Sequence, residues 1–150
     1  MKLKVSSYRA LSPIERAEFH AAIWRLTIIR LSLATGIERT QRRFGSIIEP
    51  HAHAPNLDLI KFWRRRSTAI RRASVLVPGS HCLARSLTLR WWMRQRGLAA
   101  HLVIGVRKGP AGLETHSWVE FAENVMDDCR SNIVTFRVIR DEASEQAVKT

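Results

Sequence analysis

The stretch Ala99-Ala100-His101-Leu102-Val103-Ile104-Gly105-Val106, with the turn Lys108-Gly109-Pro110-Ala111-Gly112 close behind it, divides the chain in two. It is apolar and rich in β-formers, whereas the periodic segments before it have helical spacing. A strand over 99–106 and a Gly/Pro turn therefore open a sheet. Downstream, the pattern predicts a second strand over 114–121, a hairpin tip at Glu123-Asn124, a third strand over 125–129 and a fourth over 133–139. Helices first and a mostly antiparallel sheet afterwards give an α+β fold.

Working back toward the start, Ser12-Pro13-Ile14-Glu15 combines an N-cap Ser, a Pro at the first helical position and a Glu three residues after the cap. A first helix begins there. Phe19, Ile23, Leu26, Ile29 and Leu33 form its apolar stripe, Trp24, Ile28 and Leu31 widen it, and Gly36 stops it. The segment 49–55 reads as a loop because Pro50 and Pro55 break helix. Its His51 and His53 have no partner ligands at metal spacing, so no metal site is expected. Asn56 caps a second helix carrying Ile60, Trp63 and Ile70, with Arg64-Arg65-Arg66 and Arg71-Arg72 as a solvated face. After Pro78-Gly79-Ser80 a third helix runs over 81–96, stopped by Gly97. The polar tail from Asp141 should fray.

Length and composition set limits. The 150 residues fit one domain, with a helical part over 1–74, a catalytic core over 75–140 and a tail over 141–150. At 45% hydrophobic and 25% charged, the chain is neither disordered, collagen-like nor a disulfide scaffold. Its formal charge of +12 favours acidic partners, nucleic acid or anionic lipid. No recognised nucleic-acid motif accompanies that charge, so a basic nucleic-acid-binding module is the lesser alternative. The longest greasy run, 21–34, is interrupted by Arg25 and Arg30, and no signal-peptide core follows the start. A cytoplasmic chain is expected, with Cys82 and Cys129 as thiols.

Cys82 follows a Gly-Ser-His turn and opens the third helix, where exposed amides and the positive end of the helix dipole favour a thiolate. The same amides can donate to an acyl oxyanion, and Arg85, one turn on, adds a cation. His116 alternates with Val119 and Phe121 and shares a face with Trp118 and Glu120. One imidazole can take the thiol proton and later return it to a leaving amine. A carboxylate must then orient the ring, and Asp127 or Asp128 on the next strand can do so, only one of them pointing inward. Arg85 and Glu120 are candidate supports, and Trp118 a candidate groove wall. His81 points about 100° away from its neighbour Cys82. Cys129 reads as a buried thiol.

This order of helix-start Cys, strand His and next-strand Asp resembles the transglutaminase-like, papain-related cysteine enzymes. More narrowly, His81-Cys82-Leu83-Ala84-Arg85-Ser86-Leu87, the 99–106 strand and His116-Ser117-Trp118-Val119-Glu120 are together similar to the leader peptidases of bacterial lasso-peptide biosynthesis. The resemblance covers about residues 75–136. It implies Cys82 as nucleophile, His116 as general base and acid, and Asp128 as the orienting carboxylate, with Asp127 the alternative. That family commonly has Ala where Ser117 stands, and Gly at the hairpin tip. No cofactor is implied. The partners implied are a precursor peptide, an ATP-dependent lasso cyclase and a separate RiPP recognition element protein, since the first 70 residues lack that element's strand pattern. A transglutaminase-like acyl transfer to an amine is the alternative reaction.

Overall fold

A computed structural model describes residues 8–46 and 55–142. The loop histidines His51 and His53 and the tail 143–150 lie outside the described residues. The elements run α1 (Pro13–Leu33), α2 (Ile37–Phe44), α3 (Leu57–Ala73), α4 (Cys82–Arg94), β1 (His101–Gly109), β2 (Gly112–Phe121), β3 (Asn124–Val125), α5 (Arg130–Ile133) and β4 (Arg137–Asp141). All strand pairs are antiparallel, in the order β3-β2-β1-β4. The α+β architecture is as the sequence implies.

Local chemistry explains the helix starts. Ser12 accepts the Glu15 amide while Glu15 accepts the Ser12 amide, closing a capping box. Asn56 likewise accepts from the Leu59 amide at 2.8 Å. Helices α1, α3 and α4 pack together, and α4 lies on β2 and β1. The main core joins Leu26, Ile29, Trp63, Leu87 and Leu89 to Leu102 and Val119 on one sheet face. Burying each such side chain contributes about 1.5–3 kcal/mol. On the opposite face Val103, Trp118 and Val125 form a smaller cluster with Ile133 and Phe136.

Several boundaries depart from the periodicity. Trp24 and Leu31 do not widen the α1 core stripe: both are largely exposed, because one helix face suffices to cover α3 and α4. Acidic Glu18 is buried instead, receiving Arg65 at 2.8 Å and Arg66 at 3.6 Å. The arginine run on α3 is thus not a simple solvated face. The turn after β2 sits at Ala122-Glu123, both with left-handed φ (47° and 62°), and Asn124 already pairs with Phe121. Two non-glycine residues in that region give no composition signal for a turn. The expected third strand collapses to Asn124–Val125, and the expected start of the fourth becomes α5, so β4 begins only at Arg137.

The chain does not fray at Asp141 either. That residue pairs with Val103 in the sheet, and the following Glu142 is buried. Arg90 and Arg94 of α4 are themselves buried, and both hydrogen-bond to the Glu142 carboxylate, which also accepts the Leu102 amide at 3.0 Å and the Gln41 side chain at 3.3 Å. Two buried cations make an anion there obligatory. Glu142→Gln should therefore cost on the order of 3 kcal/mol in urea unfolding; a loss under about 1 kcal/mol would show that the cluster is not a structural anchor.

Candidate active site

Helix α4 begins without a side-chain cap. His81 is the extended N-cap residue and its ring makes no capping bond. The first helical bond runs from the Arg85 amide to the His81 carbonyl at 3.2 Å. The amides of Cys82, Leu83 and Ala84 are first-turn donors without acceptors inside the helix. An anion at the half-buried Cys82, or an oxyanion beside it, meets these amides and the helix dipole together.

His116 lies on β2, paired across the ladder with Gly105 of β1. Its Nε2 is 2.5 Å from Asp128 Oδ2. Asp128 also accepts from the Cys129 amide and the Asn132 side chain, each at 2.8 Å. Burial raises its proton affinity, but these bonds and His116 outweigh that and hold the carboxyl below the usual carboxylate range. An ionised Asp128 requires the proton on Nε2 when the ring is neutral, which leaves Nδ1 as the basic nitrogen. Cys82, His116 and Asp128 all line one cavity of about 250 Å³, together with Ser67, Arg71 and Arg85.

The ring is braced from behind. Trp118 stacks near His116 (ring centroids 6.1 Å apart, 27° between planes) and Phe136 lies 5.3 Å away. Trp118 donates through its indole N–H to Glu120 at 2.8 Å. It is buried and does not line the cavity, so it backs the imidazole instead of walling a groove. Glu120 acts at one remove, on the indole. Gly105 has no side chain because a Cβ there would come within 3.0 Å of both Phe136 and Trp118. Gly105→Ala should push these rings and with them His116.

The aspartate pair does not alternate as a strand would, since β3 ends at Val125 and both carboxylates reach the cavity wall. Asp127 accepts the Val119 amide at 2.8 Å and lies 2.6 Å from Ser86 Oγ. It makes no bond to His116; the structure gives that place to Asp128. Ser86 Oγ is also 3.0 Å from the Ser117 carbonyl. A hydroxyl has one proton, and both neighbours are acceptors while Asp127 is ionised. Burial, the largest influence, raises Asp127 to about 6, and the charge of Asp128 adds to it against opposing hydrogen bonds. A protonated Asp127 donates to Ser86, which is then free to donate to Ser117.

Cys129 is exposed, not buried, because the chain has left the sheet and its amide turns to Asp128. His81 is exposed and stays off the cavity wall. Ser86, Asn132 and Phe136 were not expected at the site. Ser86 stands four residues after Cys82, on the same helix face. Asn132 stands four after Asp128, a spacing meaningful only once that segment is helical.

A model of the Transglutaminase-like superfamily matches residues 16–141, from within α1 to the end of β4. The chain belongs to this superfamily. Its members include cysteine-protease and acyltransferase enzymes. Neither the curated proteins nor the solved structures yielded a match. Among the described residues no helix is long and apolar enough to cross a membrane, and no cluster of three or more His, Cys, Asp or Glu could hold a metal ion.

Asp127 gives a pH signature. Its pKa is higher in the fold (about 6) than the ordinary 3.8, so the folded state binds the extra proton and stability falls as pH rises through that window. Asp127→Asn should remove this descent, gaining on the parent chain between pH 4 and pH 7 in urea titrations. Parallel profiles would show that Asp127 is ionised throughout.

Proposed function

We propose that this protein is a cysteine endopeptidase that removes the leader from a ribosomally made lasso-peptide precursor in the cytoplasm. The observation that carries the reading is the cavity shared by Cys82 and the His116–Asp128 pair, on a chain whose motifs resemble those peptidases. Cys82 is the nucleophile, His116 the base and then the acid, and Asp128 the group that fixes the ring.

The reaction follows from these roles. The Cys82 thiol loses its proton to His116 Nδ1, and the thiolate sulfur bonds to the carbonyl carbon at the leader–core junction. Charge moves to the carbonyl oxygen, where the first-turn amides of α4 stabilise it. The C–N bond then breaks, His116 protonates the departing core amine, and the leader remains as a thioester on Cys82. Water, deprotonated by His116, attacks that thioester, releasing the leader as a carboxylic acid and restoring the thiol. No cofactor enters. Delivery of the precursor is assigned to a separate recognition element protein, and the freed core to an ATP-dependent lasso cyclase. The charge of +12 suits an acidic leader or partner surface.

Mass spectrometry of a candidate precursor incubated with this chain and its recognition protein tests the reading. Hydrolysis gives a leader with a free carboxylate, whereas an amine adduct on the leader would replace the peptidase by an acyl transferase. Cys82→Ala should fold normally and cut nothing; full cleavage by that variant would remove the proposal. Asp128→Asn should lower turnover on the order of 10²-fold or more, while Asp127→Asn stays within about tenfold; the reverse order would reassign the orienting acid.

A further inference from the structure

The cations around the cavity are not equivalent. On α3, Arg65 and Arg66 pair with Glu18, Arg72 meets Glu15 at 3.5 Å, and Arg64 donates to the Val125 carbonyl. Arg71, on the same helix, and Arg85, on α4, both line the cavity beside Cys82. Among the described residues neither side chain has an ion-pair or hydrogen-bond partner. The two carboxylates in the cavity do not serve them, because Asp128 is held by His116 and Asn132 and Asp127 by Ser86 and the Val119 amide.

Two unengaged guanidiniums in one cavity suit an anionic acceptor with two oxygens, which Arg grips through parallel N–H bonds. A second cavity of about 340 Å³ shares Ser67, Arg71, Asp127 and Asp128 with the first, so the groove continues past Arg71 along α3. An extended peptide can lie along it with one side chain turned toward the arginines.

We propose that Arg71 and Arg85 form a specificity subsite for an aspartate or glutamate side chain on the acyl side of the bond that is cut. The inference rests on the peptidase reading. The acyl part of the substrate stays bonded to Cys82 until water releases it, so a subsite beginning one turn along the nucleophile's own helix serves that part.

The test uses peptidyl fluoromethyl ketones with Asp, Glu, Asn or Gln at either of the two positions nearest the electrophile, and follows Cys82 labelling by intact mass. An acidic residue at one position should label about tenfold faster or more than its amide. The Arg71→Gln/Arg85→Gln double variant, folded by circular dichroism, should lose that preference, and Arg71→Glu should shift it toward Lys probes. Equal labelling by acid and amide, or a preference that survives the double variant, overturns the subsite alone. If iodoacetamide modifies Cys82 and no peptidyl probe does, the peptidase reading falls and the subsite with it.

Discussion

An imidazole can take a proton from a thiol only through a bare nitrogen, and whatever holds the other nitrogen decides which one is bare. Here the holder is Asp128, 2.5 Å from His116 Nε2. The rest of the site is arranged around that bond. Asn132 and the Cys129 amide keep the carboxylate ionised and aimed, Trp118 and Phe136 limit the ring's rotation, and α4 brings its uncapped first turn to the same cavity. None of these elements suffices alone. A helix-start cysteine without a held base is a small buried side chain, and a strand histidine without a carboxylate has two interchangeable tautomers.

Electrostatic order extends beyond the site. The protein carries an excess of cations, yet the two buried ones, Arg90 and Arg94, are both assigned to Glu142, and the half-buried Arg66 to Glu18. These pairs stitch the ends of the chain to the middle, α1 to α3 and the segment after β4 to α4. The two carboxylates at the cavity divide their work by environment. Asp128 meets donors that favour its charge, whereas Asp127 is packed against a hydroxyl and one amide in a poorly solvated place and holds its proton to about pH 6.

Helix starts and the fold class were readable because they depend on neighbours in sequence: Ser12 and Asn56 name their own caps, and the apolar stretch around Val103 changes the period from helix to strand. The sheet after β2 was not. Its turn at Ala122-Glu123 uses left-handed backbone without glycine, β3 stops after two residues, and a helical turn intervenes before β4. That is why the strand rule applied to Asp127, Asp128 and Cys129 misplaced the thiol and turned only one aspartate inward. Glu142 reads as part of a polar tail starting at Asp141 because nothing local reveals that Arg90 and Arg94, about fifty residues earlier, are buried and need it. Cys82 and His116 were legible from their settings on a helix start and an alternating strand, while Ser86, Asn132 and Phe136 gained meaning only from three-dimensional neighbours.

The most direct test of the held imidazole is nitrogen NMR of His116 at a pH where its ring is neutral. The account requires the Nε2–H tautomer, with that proton shifted downfield by its short bond to Asp128 and Nδ1 without a proton. A ring carrying its proton on Nδ1, or exchanging freely between the two forms, would contradict it.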